Sequence, residues 1–197
     1  MANITVDYYL SLNSPWSYLG HERFMAIADK AGAIVTLRPV DFSLIFPKTG
    51  GLPVPQRSPQ RQAYRMQELQ RWRAFLQIPL NLNPAHWPAD DKLASGLVIA
   101  AREAGLDAAR LAGACMRAVW AEERNLGDEA TALAIATEQG IDGAALLPQV
   151  EQCLAMREAD SLAAMNERNV FGAPSYVIGE QVYWGQDRLD FVERALA

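Results

Sequence analysis

Thr5-Val6-Asp7-Tyr8-Tyr9-Leu10, followed by Ser11-Leu12-Asn13-Ser14 and then by Pro15-Trp16-Ser17-Tyr18-Leu19-Gly20, decides the fold. The β-branched and aromatic run from Thr5 to Leu10 predicts a strand. Ser11 to Ser14 breaks it. Pro15 then stands at a first helical position, where its missing N–H costs nothing. From Trp16 to Lys30 the apolar positions Leu19, Phe24, Ile27 and Ala28 fall on one helical stripe, and Gly32 closes the helix. Ile34 to Phe42 reads as a second strand. A strand-helix-strand unit with turns this short predicts a parallel pair with a right-handed crossover.

Working outward, residues 46–59 carry four of the eleven prolines and an adjacent glycine pair, and read as a loop. Gln60 to Gln77 reads as a helix with Leu69, Trp72, Phe75 and Leu76 on one face, and Leu93 to Ala104 as another. Asp107, Asp128 and Asp142 are candidate N-caps of three more, each preceding an alanine- and leucine-rich run. After Asn169 the pattern changes. Gly172-Ala173-Pro174 signals a turn, Ser175 to Gly179 and Gln181 to Trp184 read as a hairpin broken at Gly179-Glu180, and Asp187 to Ala197 as a closing helix. Strand-helix-strand therefore opens the chain and strand-strand-helix ends it, with helices inserted between.

The 197 residues are 50% hydrophobic and 21% charged, with a formal net charge of -5, which argues against nucleic acid or an anionic membrane as partner. No apolar run approaches the ~20 residues of a membrane helix. The stretch beginning Met1-Ala2-Asn3 shows no basic segment followed by an apolar one, so a cytoplasmic protein without signal peptide is expected. Cys115 and Cys153 lie far apart, outside any Cys-x-x-Cys motif or metal-ligand cluster, and read as core thiols. No metal site is expected.

Three segments carry chemistry. Ser14 sits at a strand-to-helix junction and reads as an N-cap. The same position suits an anion, because a helix N-terminus offers unpaired N–H groups and the positive end of the macrodipole. A thiolate there has a lowered pKa. The site has no cysteine, so the thiol would come from a ligand. The second segment is Val170-Phe171-Gly172-Ala173-Pro174-Ser175-Tyr176. Its proline either simply opens a strand or marks a cis turn that exposes the Ala173 backbone to an extended peptide. The third is Tyr183-Trp184-Gly185-Gln186-Asp187-Arg188-Leu189, either a capping signature or a source of acceptors for an amino group beside N–H groups for a carboxylate.

Together these segments resemble the thioredoxin-superfamily branch that holds kappa-class glutathione transferases and 2-hydroxychromene-2-carboxylate isomerases. Ser14-Pro15-Trp16-Ser17-Tyr18-Leu19-Gly20 is similar to its Ser-Pro-aromatic-Ser-aromatic-Leu motif, Phe171-Gly172-Ala173-Pro174 to its Phe-Gly-apolar-Pro turn with a cis proline, and Trp184-Gly185-Gln186-Asp187-Arg188-Leu189 to its Gly-polar-Asp-Arg segment. Glu68-Leu69 with Arg71-Trp72, then Ile78-Pro79-Leu80, resembles its first inserted helix. The resemblance implies an α/β thioredoxin-like fold: residues 1–45 and 168–197 form the glutathione-binding domain and residues 46–167 an inserted all-helical domain.

The same resemblance implies residue roles. Ser14 would hold and activate the glutathione sulfur. Ala173 would pair with the cysteinyl backbone, and Trp184, Gly185, Gln186 and Asp187 would bind the γ-glutamyl end. Trp87 would present an aromatic face to the substrate. The family's isomerases carry a lysine and an Asn-Arg pair before the first inserted helix; here Phe46-Pro47-Lys48-Thr49-Gly50-Gly51 and Pro55-Gln56-Arg57 occupy that region, so Lys48 and Arg57 are the candidates for the substrate carboxylate. The implied activity is a glutathione-dependent isomerisation of 2-hydroxychromene-2-carboxylate to trans-o-hydroxybenzylidenepyruvate in aromatic-compound catabolism. A kappa-like transferase and a non-catalytic glutathione-binding module are the alternatives, and relatives are often homodimers. His21 reads as a surface or packing residue. Arg61, Arg65, Arg71 and Arg73 read as a solvated helix face, one of which can meet a carboxylate.

Overall fold

Four strands form one sheet in the order β2-β1-β3-β4 in the computed structural model, which describes residues 4–197. Met1 to Asn3, the start of the stretch read above for a leader, lie outside the described residues. The strands are β1 (Thr5–Leu10), β2 (Ile34–Pro39), β3 (Ser175–Ile178) and β4 (Gln181–Trp184), and α1 (Pro15–Ala31) joins the first two. β1 runs parallel to β2 and antiparallel to β3, and β3 is antiparallel to β4. This is the expected thioredoxin-like order.

β1 is covered on both faces. Val6, Tyr8 and Leu10 point into a large core under α1, and Tyr9 into a smaller one with Val40, Ile45 and Val177. Tyr8 packs against Phe24 at 4.7 Å and Tyr176 at 5.2 Å between ring centres. Beside them His21 is buried, which settles it as a packing residue. Its Nε2 lies 2.9 Å from the Ala109 carbonyl, which only accepts, so Nε2 carries the proton and Nδ1, 3.3 Å away, accepts from the Tyr8 hydroxyl.

The helices between β2 and β3 are α2 (Phe42–Thr49), α3 (Pro59–Leu76), α4 (Lys92–Glu103), α5 (Ala108–Trp120), α6 (Glu129–Glu138), the short α7 (Gly143–Leu146) and α8 (Val150–Asn166). α9 (Leu189–Leu196) follows the sheet. Asp107, Asp128 and Asp142 cap α5, α6 and α7 through the backbone N–H groups of Arg110, Thr131 and Ala145. The large core runs without a break from Tyr8 and Tyr176 of the sheet into Leu97 of α4 and Leu111 and Trp120 of α5.

Three expectations need correction. The second strand stops at Pro39, and the supposed loop begins as α2: Asp41 caps it by accepting from Ser43 N at 2.8 Å, Ile45 is buried, and left-handed Gly50 ends it. Pro47 sits inside this helix, where it has no N–H for the Ser43 carbonyl and sets its ring against it. The chain after Asp142 divides, because α7 has only four residues and Pro148 lies in a 3-10 turn before α8. α8 lacks a side-chain N-cap and is fastened from its middle. Arg157 donates to buried Asp91 at 3.0 Å, and Ser161 Oγ accepts from Asp41 N at 2.8 Å. Cys115 and Cys153 are buried and unpaired, and burial pushes the Cys115 thiol up to about 12. No described helix is long and apolar enough to cross a membrane.

Burial holds the His21 pKa below its ordinary 6.5, so the unfolded chain takes up a proton at His21 before the folded one does. Stability is therefore expected to fall as pH drops below about 6.5, by at most ~1.4 kcal/mol per pH unit from this residue. Urea unfolding between pH 7 and 5 checks this, and His21→Gln should flatten that slope.

Candidate functional site

The strand register gathers three distant segments at one end of the sheet. Tyr9, near the end of β1, pairs with Ser175, the first residue of β3, and Ser175 pairs with Trp184, the last of β4. The turn into α1, the Gly172-Ala173-Pro174 turn and the Trp184 to Asp187 segment therefore share that end.

Ser14 is the N-cap of α1: its Oγ accepts from Ser17 N at 3.2 Å. A hydroxyl that accepts through a lone pair still has its own hydrogen to donate, so capping leaves Ser14 able to bind an anion at the helix end. The Ala173–Pro174 peptide is cis. The Ala173 N–H and C=O make no hydrogen bond among the described residues, while the neighbouring Pro174 carbonyl accepts from Gly185 N and the Gly172 carbonyl from Ser175 Oγ. Trp184 stacks edge-on against Phe171 at 4.8 Å and covers Gly172, where any β-carbon would strike its indole.

A cavity of about 550 Å³ opens between this end of the sheet and α3. One side is Trp16, Ala173 and Trp184 to Arg188; the other is Arg57 with Arg61, Tyr64, Arg65 and Trp72 of α3. It thus brings together Ala173, Trp184, Gly185, Gln186, Asp187 and Arg57. Ser14 is not among its lining residues but lies two residues before Trp16, on the first turn. Lys48 stands exposed in the last turn of α2, away from the lining.

Trp87 also lies outside the lining, and supports it from behind. Its indole N–H donates to the Asn13 carbonyl at 2.9 Å, and the Arg65 guanidinium sits 5.2 Å from its ring centre. Asn13 grips the same loop with its amide: Nδ2 donates to Ala89 O at 3.0 Å and Oδ1 accepts from Ala89 N at 2.8 Å.

Arg65 is buried, whereas a solvated face was expected. Arg61, Arg65 and Trp72 recur at helical spacing, so the sequence held the stripe; what it lacked was the wall that stripe meets. No described carboxylate pairs with Arg57, Arg61 or Arg65, and Glu68 is taken by Arg71 at 2.6 Å. Burial first, then the charge of Arg57, lowers the Arg65 pKa to about 10, so it remains a cation at neutral pH. Arg57 is lowered by the same two causes, burial and then Arg61, and donates its Nε to Leu52 O at 2.8 Å. Arg57, Arg61 and Arg65 share this wall with Glu68, which Arg71 holds, and have no described carboxylate partner of their own, so their donors are of the kind that suits an anion. Sequence reading missed Asn13; it held Arg65 among four arginines of which one can meet a carboxylate, without its burial.

Residues 5–197 match the DSBA-like thioredoxin domain. The chain belongs to this family. Among DSBA-like proteins it is similar to the 2-hydroxychromene-2-carboxylate isomerase of Sphingobium xenophagum, at 27% identity across 98% of this chain and 97% of the relative. The namesake from Pseudomonas putida is 28% identical across 97% of this chain and 93% of its own. A solved 2-hydroxychromene-2-carboxylate isomerase superposes with a TM-score of 0.82 at 27% identity, covering 98% of this chain and 94% of that one. The cytosolic disulfide reductase DsbM from Pseudomonas aeruginosa, solved with GSH, shares the DSBA-like fold, with a TM-score of 0.70 at 19% identity and coverage of 98% and 94%.

Replacing Asn13 tests the brace behind the cavity. Asn13→Ala removes both amide bonds to Ala89 and is expected to cost ~1–3 kcal/mol in urea unfolding. Asn13→Asp should cost at least as much, because it sets an oxygen against the Ala89 carbonyl.

Proposed function

We propose that the cavity binds glutathione and that the chain is a glutathione-dependent isomerase of a small aromatic carboxylate, interconverting 2-hydroxychromene-2-carboxylate and trans-o-hydroxybenzylidenepyruvate. One observation carries the reading: a single cavity joins an unpaired peptide backbone at Ala173 and an acidic Asp187 to a wall with three arginines that have no described carboxylate partner. Glutathione is an extended peptide with one ammonium group, two carboxylates and a thiol. The residues fit those groups. Ala173 offers a peptide edge, Asp187 an acceptor for the ammonium group, and Trp184, Gly185 and Gln186 complete that end of the site. Ser14 and the α1 N-terminus suit a thiolate, and the arginines across the cavity suit the carboxylate of the aromatic acid. The match in fold and length to proteins named for this isomerisation supports the same reading.

Bound there, glutathione would supply a nucleophilic sulfur whose reversible addition to a conjugated carbon permits rotation about a former double bond. The protein's own residues do the rest. Ser14 donates its hydroxyl hydrogen toward the sulfur, while the Trp16 N–H, which meets no acceptor among the described residues, and the α1 dipole keep negative charge there favourable. Arg65, with Arg57 and Arg61, takes the carboxylate of the aromatic acid. Trp16 and Trp72 offer apolar faces to its ring, and exposed Tyr64 stands at the rim. Trp87 acts through Arg65, as a platform that fixes the guanidinium. Lys48 is assigned no contact.

Ser14→Ala is expected to lower kcat/KM for the isomerisation by ~100-fold, the scale for losing one preorganised donor to developing charge. Unchanged turnover would remove Ser14 from the chemistry. Incubation with a chloronitrobenzene and glutathione separates an isomerase from a transferase: rapid stoichiometric glutathione consumption would count for the transferase.

Arg65→Met keeps most of the stem volume and removes the charge. The KM for the aromatic acid should rise at least ~10-fold, as expected for a lost hydrogen bond to a charged group. Steady-state kinetics at saturating glutathione give the comparison, and an unchanged KM would move the carboxylate elsewhere.

A further inference from the structure

Arg23 lies on α1 two turns beyond Trp16, and the chemistry above does not use it. Its Nη1 donates to Gln186 Oε1 at 2.7 Å and lies 3.5 Å from the Gln186 backbone oxygen. A guanidinium has donors only. The oxygen of the Gln186 amide must therefore face Arg23, and the NH2 group must face the other way. Gln186 is nearly fully buried, yet it lines the cavity, and its Nε2 meets no acceptor among the described residues. Gly20 permits this arrangement. A β-carbon there would come within 2.7 Å of Gln186 Cβ, so α1 presses directly against residue 186. Gly185, at φ +102°, sets the turn that delivers Gln186 to α1.

We propose that Arg23 is a positioning residue that locks the Gln186 amide with its N–H donors toward the cavity, where they take the α-carboxylate of an amino-acid-like ligand end. Asp187 stands beside it as the complementary acceptor. Arg188 occupies Asp187 Oδ2 at 2.7 Å and leaves Oδ1 for an ammonium group. A donor at 186 and an acceptor at 187 together read a zwitterion. With the amide reversed, two oxygens would face the cavity side by side and repel the carboxylate. The lock thus makes this end selective for ligands with a free amino-acid terminus. It rests on the reading of the cavity as a glutathione site, where that terminus is the γ-glutamyl group.

The test compares glutathione with cysteinylglycine, which carries the same thiol and glycyl end but no γ-glutamyl group. In Arg23→Met the calorimetric Kd for glutathione should rise ~10-fold. The preference for glutathione over cysteinylglycine, as a ratio of kcat/KM values, should shrink by the same factor, with kcat at saturating glutathione changed less than twofold. Arg23→Lys, which keeps a cationic donor, should recover part of the loss. Gln186→Glu keeps the partner of Arg23 but turns a second oxygen toward the ligand. It should weaken glutathione at least as much without lowering the melting temperature. A loss of affinity in Arg23→Met that falls equally on both thiols, or no loss in either variant, would overturn the proposal. Absence of glutathione binding by the unmodified protein would instead overturn the reading of the cavity itself.

Discussion

The pairing of β1 with β3 is the constraint on which the rest depends. β1 is covered on both faces, so its register cannot slip by one residue without driving Tyr8 and Tyr9 into each other's cores. That register sets Tyr9 against Ser175, and through β3 sets Ser175 against Trp184. Segments more than 150 residues apart in sequence are thereby held at one sheet end to within the spacing of adjacent strands. The site needs no hinge to bring these parts together. It is assembled when the sheet forms.

Much of this was legible from local chemistry. Ser14-Pro15 announced a helix start, the three capping aspartates their helices, and Gly179-Glu180 a hairpin, because each signal acts within a few residues. What local signals could not show was what each face meets. α2 was hidden because Pro47 and Gly50-Gly51 look like loop residues, although Ile45 anchors that turn in the smaller core. The arginines of α3 passed for a solvated face because periodicity gives the stripe and not the wall it faces. Asn13 looked like a turn residue; its partners lie 76 positions away, beyond the range of any local pattern.

The arginine wall sits uneasily with the charge of the whole chain. A net charge of -5 repels anions at long range, yet three cations converge on one cavity without carboxylate partners. At physiological salt the overall charge is screened beyond ~8 Å, while a partly desolvated guanidinium acts at contact distance with little screening. Under the proposed function, selection of an anionic ligand occurs inside the cavity, by geometry and desolvation, rather than by steering from afar. Arg65 leans on Trp87, and Asn13 holds Trp87 in place, so this local field inherits its position from the turn at the end of β1.

The continuous core has a consequence for motion. The inserted helices share one body of packed side chains with the sheet, so they cannot swing away from it as a unit without opening apolar surface along α4 and α5. α3 is the exception. Of its eighteen residues only Arg65 and Leu69 are buried. Met66, Trp72 and Leu76 lean half-buried on the large core, so the helix is held along one edge. The wall that carries the arginines thus rests on fewer buried side chains than the wall built on the sheet, and the two sides of the cavity differ in how deeply each is rooted in the core.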